Sequence, residues 1–294
     1  MRPPMNRPTN RAALFALPLI LLGALAAAAA EPAPPIPDSR FPSYVKFSSD
    51  RGNDGGFATQ ARVEQVVTSG ERSFFMAGFF RPEDYPTWGM LAAVQSADRN
   101  DGTFALSLEA YLQRLNLFEW RSGPHHELAR APNPYRGLTH GGAPAAYTLN
   151  RWHFIAAVIV DACHSRIFLD GLWSEDRGQK CVPWPSALRS TTFGSYYNLS
   201  RGTFDSHGFN GGLRDWTIVT GVPTGEELLR MRAGEDPRAI WPAGRVWGFW
   251  NFTTDPATGG KEPDQTGQGR DLTYIGAGKV RTDKPVLIQA PAAR

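Results

Sequence analysis

Two consecutive apolar runs that end at an Asp-Gly pair constrain this chain most. The first run extends from Trp152 to Val160, and the second from Arg166 to Leu169, directly before Asp170-Gly171. Runs rich in β-branched and aromatic residues that end at Asp-Gly are typical of strands joined by a two-residue turn. We therefore predict consecutive antiparallel strands followed by a tight hairpin.

The first 30 residues have the composition of an export signal. Arg2, Arg7 and Arg11 form a positive N-terminal region, an apolar run follows to Leu25, and small residues lead up to Ala30. This order is typical of a secretory signal peptide, with cleavage predicted after Ala30. The apolar run is interrupted and short of the roughly 20 residues of a membrane-spanning helix. We expect a periplasmic or secreted protein with no transmembrane segment after cleavage.

The charge of the mature chain excludes one class of partner. The full sequence has 31 Lys and Arg against 28 Asp and Glu. The predicted signal peptide carries three arginines and no acid, which leaves 28 basic residues against 28 acidic ones. A formally neutral chain lacks the basic surface on which nucleic-acid binding depends. We predict no nucleic-acid partner.

The chain has two cysteines, Cys163 and Cys181. An exported protein folds where thiols oxidise. A bridge would tie the Pro-rich segment after the Asp-Gly hairpin to the turn between the two apolar runs. Closing a loop of this length stabilises the folded protein by roughly 3 kcal/mol in the chain-entropy model. We predict this disulfide, with two free structural thiols as the alternative.

One β-rich domain accounts for most of the mature chain. We predict a Pro-rich linker at 31–40, a single domain at 41–288 and a tail at 289–294. The 30 glycines and 24 prolines supply the turns that many short strands need. The predicted fold class is all-β, an antiparallel β-sandwich or jelly roll.

One short helix is also predicted. Thr224 and Glu227 have the spacing of a capping box, and Gly234 stands where a C-terminal cap belongs. Leu228, Leu229 and other helix formers lie between these two ends.

The order of these motifs resembles the laminin-G-like branch of the concanavalin A-like lectin and glucanase jelly rolls. Four motifs occur in the family's order: Trp152, then Phe168 to Gly171, then Gly211-Gly212-Leu213, then Glu226-Glu227-Leu228. The ends also fit the family, with Tyr44 to Phe47 as the opening strand and Trp250 to Thr273 as the closing region. The resemblance covers nearly all of the mature chain and implies a concanavalin A-like antiparallel jelly roll.

The chain departs from the family pattern in one strand. After the Gly-hydrophobic pair the family has an acid, whereas this chain has Arg214 there and Asp215 one residue later. A shift of one residue along a strand moves a side chain to the other face of the sheet. A contact made by the family's acid is therefore not carried over to Asp215.

Jelly rolls of this class also include glycoside hydrolases and polysaccharide lyases. A retaining hydrolase needs two carboxyl groups about 5 Å apart, which on one strand means acids two or four residues apart. Glu109 and Glu119 are ten residues apart, and the zinc-helix pattern that begins at His126 fails at Arg130, where the second histidine would stand. We assign no catalytic residue. A hydrolase or lyase whose acids come from different strands remains an alternative.

Candidate ligand-binding residues follow from an alternating strand. Between Phe104 and Gln113, leucines and alanine alternate with polar residues, which predicts one core face and one wet face. An aromatic side chain beside acids and amides is what sugar recognition uses, although a plain solvated face has the same pattern. The candidates on this strand are Glu109, Tyr111 and Gln113. Trp120, Tyr196 and Tyr197 are further candidates, because an aromatic ring near a turn or polar segment could stack on a sugar.

The nine tryptophans divide into two groups. Trp152, Trp216, Trp247 and Trp250 lie in apolar runs and are predicted to be core. The others lie near turns or polar segments, where a flat ring could stack on a ligand: Trp88, Trp120, Trp173, Trp184 and Trp241.

The resemblance also implies a structural calcium ion, because relatives hold calcium with loop carboxylates and carbonyls. Asp50, Asn53 and Asp54 crowd one Gly-rich loop, and Asp264 lies in the terminal segment that the family brings near the first strand. These four residues are the candidate ligands. No other cofactor is expected.

These observations predict an exported, noncatalytic binding module, with a carbohydrate or polysaccharide as the favoured ligand. The alternatives are a glycoside hydrolase or polysaccharide lyase on the same fold, and a protein-interaction or envelope-structural domain. The expected partner is accordingly a glycan or an extracellular protein surface.

Overall fold

The structure is a computed structural model of the full chain. It describes residues 32–47, 57–59, 73–85, 89–95, 105–111, 114–120, 126–132, 139–140, 143–144, 146–161, 163–174, 190–198, 203–205, 208–258, 261–275 and 285–289. No helix in these ranges is long and apolar enough to cross a membrane.

The described ranges are mostly β-structure, with two short α-helices. The strands are β1 Ser43–Phe47, β2 Phe57–Thr59, β3 Phe74–Pro82, β4 Gly89–Gln95, β5 Ala105–Tyr111, β6 Arg114–Trp120, β7 His126–Arg130, β8 Thr139–His140, β9 Ala143–Pro144, β10 His153–Ile159, β11 Ser165–Leu169, β12 Leu172–Trp173, β13 Ser190–Phe193, β14 Tyr196–Asn198, β15 Thr203–Asp205, β16 Gly211–Thr220, β17 Val246–Trp250, β18 Lys261–Glu262, β19 Leu272–Ile275 and β20 Val286–Gln289. The helices are α1 Gly225–Ala233 and α2 Pro237–Ile240, and 3-10 turns occupy Asp38–Arg40 and Pro256–Thr258.

Two eight-stranded antiparallel sheets form a sandwich. The first sheet has the order β12-β11-β10-β3-β16-β1-β20, with β17 also paired to β16. The second sheet has the order β18-β19-β2-β13-β4-β5-β6-β7. Two small ribbons, β8-β9 and β14-β15, complete the described β-structure. The predicted all-β antiparallel jelly roll is confirmed.

The inner core lies between the two sheets. Phe193 of the second sheet makes edge contacts with Trp216 and Trp250 of the first, with ring centroids 5.6 and 5.3 Å apart. Leu108, Leu117 and other leucines and valines of the second sheet belong to the same buried cluster. Removing this apolar surface from water is the main force that holds the sheets together.

A second core covers the outer face of the first sheet. Phe79 and Phe154 on the central strands pack there against Leu228 and Met231 of α1 and against α2. Strands β3 and β10 are therefore buried on both faces, which explains why their sequences are continuous apolar runs instead of alternating ones.

Helix α1 begins and ends as its sequence predicts. The Thr224 hydroxyl accepts the Glu227 N–H, and the Glu227 carboxylate accepts the Thr224 N–H. Gly234 ends the helix in the left-handed region at φ +104°, where a glycine has no Cβ to clash. Helix α2 was not predicted, although Asp236 before Pro237 is a helix-start signal.

The predicted hairpin at Asp170-Gly171 is confirmed. Leu169 pairs with Leu172, and both turn residues have positive φ, +48° and +95°. The Asp170 carboxylate turns back into the sheet, where Oδ2 lies 2.7 Å from His153 Nδ1 and Oδ1 accepts the Phe154 N–H. This buried pair ties the hairpin to β10.

The N-terminal segment 32–41 packs across the outer face of the first sheet. The Ala33 N–H donates to the Asp170 carbonyl, and Ile36 forms a β-bridge with Trp152. Ile36 and Phe41 are both buried. Much of the predicted 31–40 linker is thus attached to the sandwich, because its apolar residues cover the outer core. The other predicted domain boundaries stay predictions.

The tryptophan predictions are partly confirmed. Trp152, Trp216, Trp247 and Trp250 are core, as predicted. Trp241 is also buried, at 1% exposure, and packs edge-on against Phe75, so the idea of an accessible ring there is wrong. Trp241 is buried by residues distant in sequence, such as Phe75 of β3, so its own segment did not predict the burial.

Gly78 of β3 provides a test of the inner core. A Cβ at this position would lie 2.5 Å from Trp216 Cγ, so Gly78→Ala would force the ring or the strand to move. We expect Gly78→Ala to lower the free energy of unfolding by about 3 kcal/mol in urea titrations. Gly244→Ala is the control, because a Cβ there meets nothing within 4 Å. Equal stability of the two variants would contradict this packing.

Cys163 lies in the turn between β10 and β11, where its N–H donates to Asp161 Oδ1. Its predicted partner Cys181 lies outside the described residues. The disulfide therefore stays a prediction. Mass spectrometry of nonreduced peptides from the purified protein should recover Cys163 and Cys181 in one linked pair, whereas full alkylation of both thiols without reductant would refute it.

Candidate functional site

The outer face of the second sheet is the strongest candidate for a ligand-binding surface. Leu108 and Ala110 of β5 and Leu115 and Leu117 of β6 belong to the inner core. The intervening positions alternate with them and occupy the opposite face of the sheet. In the register of β5 and β6, Glu109 is opposite Asn116 and Tyr111 is opposite Arg114. The predicted alternation of a core face and a polar face is therefore present in the register.

The polar face is not uniformly exposed. Met90, which pairs with Glu109, and Asn116 are 0% and 1% exposed, whereas Arg114 at the start of β6 is exposed. Gln95 and Thr192 on the neighbouring strands β4 and β13 are both 0% exposed. The described side chains at the centre of this sheet are therefore buried, and the exposed one of these five residues is Arg114. A plain solvated face along β5 itself stays an alternative.

Buried amide groups mark the centre of this face. Gln95 Nε2 donates to the Thr192 hydroxyl at 3.0 Å. Gln95 Oε1 and Asn116 Oδ1 are buried and accept no hydrogen bond from any residue that the structure describes. A buried acceptor without a donor costs about 1–3 kcal/mol. Either oxygen could accept from an enclosed water, whereas a ligand hydroxyl would reach it only if the groups that bury it move.

The other candidate ligand residues are only partly placed. Trp120 ends β6 opposite Ala105, whereas Gln113 lies outside the described residues. Tyr196 and Tyr197 lie in β14, in the small ribbon with β15, and not on the second sheet. The structure therefore places Glu109, Tyr111 and Trp120 on adjacent strands and the two tyrosines on another element. Sequence reasoning missed Gln95 and Asn116, because alternation along a strand assigns a side chain to a face but does not say whether that face is buried.

The two glutamates considered for catalysis do not form a cross-strand pair. Glu109 is opposite Asn116, and Glu119 is opposite Leu106. Leu106, the partner of Glu119, is three residues from Glu109 along β5. Successive residues of a strand alternate between faces, so Glu109 and Glu119 belong to opposite faces of the sheet. A hydrolytic pair would need a different second acid.

Asp264 has a structural role in the loop after β18. Its Oδ1 accepts the N–H groups of Phe249 and Thr266, and its Oδ2 accepts the Thr266 hydroxyl and the Arg270 N–H. A carboxylate with four donors has little capacity left for a metal ion, so Asp264 does not fit a calcium site.

The remaining predicted calcium ligands are Asp50, Asn53 and Asp54, which lie outside the described residues. In the ranges that the structure covers, no group of three His, Cys, Asp or Glu side chains could hold a metal ion. Calcium binding through the Asp50 loop therefore stays a prediction.

The comparison with solved structures agrees on the fold. A Bacteroides ovatus protein assigned as carbohydrate binding is similar over 85% of this chain and 60% of its own length, with a TM-score of 0.52 and 14% identity. This chain thus spans less than two thirds of that protein. The identity is low, so the likeness shows the concanavalin A-like jelly-roll fold alone.

Two further structures have lower scores. A heptameric pentraxin from Limulus polyphemus is similar over 63% of this chain and 79% of its own length, at 13% identity and a TM-score of 0.44. The CBM40 domain of a Ruminococcus gnavus sialidase, bound to sialyllactose, is similar over 59% and 92%, at 10% identity and a TM-score of 0.41. No protein-family model and no curated protein matches the sequence.

Replacing Asp264 tests its structural role. Asp264→Ala should lower the free energy of unfolding by about 2–4 kcal/mol, because it leaves buried N–H donors without an acceptor. The loss should be the same in calcium and in EDTA. Asp255→Ala is the control, because Asp255 caps an exposed turn at Ala257. A loss that appears only in calcium would instead make Asp264 a metal ligand.

Proposed function

We propose that this protein is an exported, noncatalytic module that binds carbohydrate on the outer face of the second sheet. The observation that carries the proposal is the end of the outer face at the exposed Arg114, where Tyr111 is opposite Arg114 and Glu109 is opposite Asn116. Behind this end, Gln95 and Asn116 have buried amide oxygens without donors in the described part of the chain. Sugars supply many hydroxyl donors, and amide groups can both accept from and donate to them. Tyr111 of β5 and Trp120 of β6 add aromatic positions to the same face, because each lies an even number of residues from the Glu109–Asn116 pair.

The fold supports a ligand of this class. The Bacteroides ovatus protein with the same fold is assigned as carbohydrate binding. Sugar binding also suits the formally neutral mature chain, since a neutral polysaccharide needs no charged surface. Glu109 and Glu119 belong to opposite faces of the sheet, so they do not form the carboxyl pair of a hydrolase, and this favours a binding function. Calcium at Asp50, Asn53 and Asp54 belongs to the proposal as a structural ion.

Exposure along the face suggests how the ligand approaches. The Tyr111 and Arg114 end is accessible at Arg114, whereas the Gln95 and Thr192 end is buried. We infer that a glycan contacts the Tyr111 end first and that its hydroxyl groups extend toward Asn116, whereas Gln95 lies at the other end, in register with Ala105 and Trp120. Affinity would then come from aromatic contact at the rim and from hydrogen bonds at the centre.

Aromatic replacements test the surface. Tyr111→Ala and Trp120→Ala should each weaken retention of the mature protein in polysaccharide affinity gels by about tenfold, equivalent to ~1.4 kcal/mol. Their melting temperatures should stay close to that of the wild type. Leu229→Ala, which removes an exposed side chain of α1, is the matched control.

Trp152→Ala, in contrast, should lower the free energy of unfolding by about 3–5 kcal/mol, because the indole is core.

Three results would separate the alternatives. Unchanged retention of both aromatic variants would refute sugar binding on this face. Reducing ends or unsaturated sugars that accumulate with pure protein, and disappear in Glu109→Gln or Glu119→Gln, would establish an enzyme. Retention on immobilised envelope proteins but on no polysaccharide would favour the protein-interaction alternative.

A further inference from the structure

A cleft on the other side of the sandwich has the properties of a small-ligand site. It has a volume of about 170 Å³ and lies where the outer face of the first sheet meets the junction of α1 and α2. Its lining includes Arg40, Asp215, Asp236, Arg238 and Asn251 around the buried rings of Phe79 and Phe249. None of these residues was a candidate from sequence.

The two arginines of the cleft are occupied by the protein itself. Arg40 donates to the carbonyls of Met231 and Arg232 at the end of α1, and its guanidinium lies 4.5 Å from the Phe79 ring centroid. Arg238 donates to the Asp236 carboxylate and to the Gln265 carbonyl. Arg40 therefore covers the ring of Phe79. Most donor groups of Arg238 are already used by Asp236 and Gln265, so few remain to bind an anion.

A β-bulge brings Asp215 into this cleft. The register of β16 with β3 shifts between Arg214 and Thr217, and Asp215 has the left-handed φ of +47°. Trp216 then points into the inner core, while Asp215 lines the cleft on the outer face. Bulges that redirect one side chain are common beside functional sites. The extra residue of the bulge lies after Arg214, at the place where the chain departs from the family pattern, and it keeps Trp216 on the inner face.

Asp215 and Asn251 have hydrogen-bonding capacity that the described residues do not use. Asp215 Oδ1 lies 3.2 Å from Arg214 Nε, and Oδ2 accepts no hydrogen bond from the described part of the chain. The Asn251 carbonyl accepts the Asp215 N–H, which places the two residues side by side, and its side-chain amide has no partner within those ranges. The Asp215 side chain is 26% exposed, so a ligand can reach it.

We propose that the cleft binds one neutral sugar ring through adjacent hydroxyl groups, with Asp215 accepting and Asn251 both accepting and donating. A cleft of 170 Å³ is smaller than the roughly 300–1,000 Å³ of drug-sized pockets, so it fits one ring and not an oligosaccharide. Occupied arginines disfavour an anionic sugar. The ligand class rests on the proposed function, but the site is separate from the outer face of the second sheet.

The charge of Asp215 gives this site a pH dependence. Burial raises the pKa of Asp215 to about 6, and the nearby Arg214 and Arg40 lower it less than burial raises it. Protonation makes one carboxylate oxygen a donor and weakens the other as an acceptor for a sugar hydroxyl. If binding needs the ionised form, the apparent affinity should fall about tenfold from pH 7.5 to pH 5. Asp236 and Glu235, which also line the cleft, are paired with Arg238 and Arg230, which lower their pKa values, so they stay ionised over this range.

The test is NMR titration of the mature protein with methyl β-D-glucopyranoside and methyl β-D-galactopyranoside at pH 7.5 and pH 5. The wild type should bind at least one glycoside with shifts at Asn251 and Phe249, and about tenfold more weakly at pH 5. Asp215→Asn should bind weakly at both pH values, and Asn251→Ala should lose affinity while keeping the pH dependence. Asparagine tolerates the left-handed φ, so Asp215→Asn is expected to fold. Glu226→Gln, on the exposed side of α1, is the control.

Other outcomes identify other ligands. Tighter binding of glucuronate than of the neutral glycosides, or of a 2-amino sugar that depends on its charge, would overturn the assignment to a neutral ring. So would titrations with no shift at the cleft. Affinity gels distinguish this failure from failure of the proposed function: Asp215→Asn should be retained on polysaccharide like the wild type, whereas Tyr111→Ala should not.

Discussion

The packing of Trp216 against Gly78 fixes the geometry on which both sides of the first sheet depend. The indole lies where a side chain on Gly78 would be, and its N–H donates to the Phe79 carbonyl on the same neighbouring strand. To reach this position Trp216 must leave the regular alternation of β16, and the bulge at Asp215 supplies the extra residue. One core contact thus determines the inner packing with Phe193 and the polar group presented on the outer face.

The burial of the first sheet on both faces restricts where a ligand can bind. Its inner face contacts the second sheet, and its outer face is covered by the two helices and the segment that contains Ile36 and Phe41. Among the described residues, polar groups open to a ligand are therefore expected on the outer face of the second sheet or at the margin of the helical cover. Gln95 and Asn116 occupy the first place, and Asp215 and Asn251 occupy the second.

Local patterns in the sequence were sufficient for the hairpin and the helix. Asp170-Gly171 and the Thr224 capping box are satisfied by residues within a few positions, so the chain specifies them without the rest of the fold. The burial of Trp241, the bulge at Asp215 and the attachment of the 31–40 segment depend on strands far away in sequence. Alternation in β5 predicted a polar face, but not which positions of its neighbours are buried, because neighbouring strands and their cover decide that.

The acidic side chains of this protein differ in how many hydrogen-bond donors their carboxylate oxygens already accept. This difference distinguishes acids with a structural role from acids that could bind a ligand. Glu262 is fully buried and accepts the N–H groups of Phe252, Thr253 and Thr254 and the Tyr274 hydroxyl, and Asp264 accepts four donors in the next loop. Both stabilise turns and have no capacity to spare. Asp215 has one arginine contact and an oxygen without a donor in the described ranges, and burial keeps its charge costly, as its raised pKa shows. Because Asp215 lies beside Asn251 in a cleft that a ligand can enter, the cleft, more than the saturated loops, is where we expect an acid of this chain to contact a sugar.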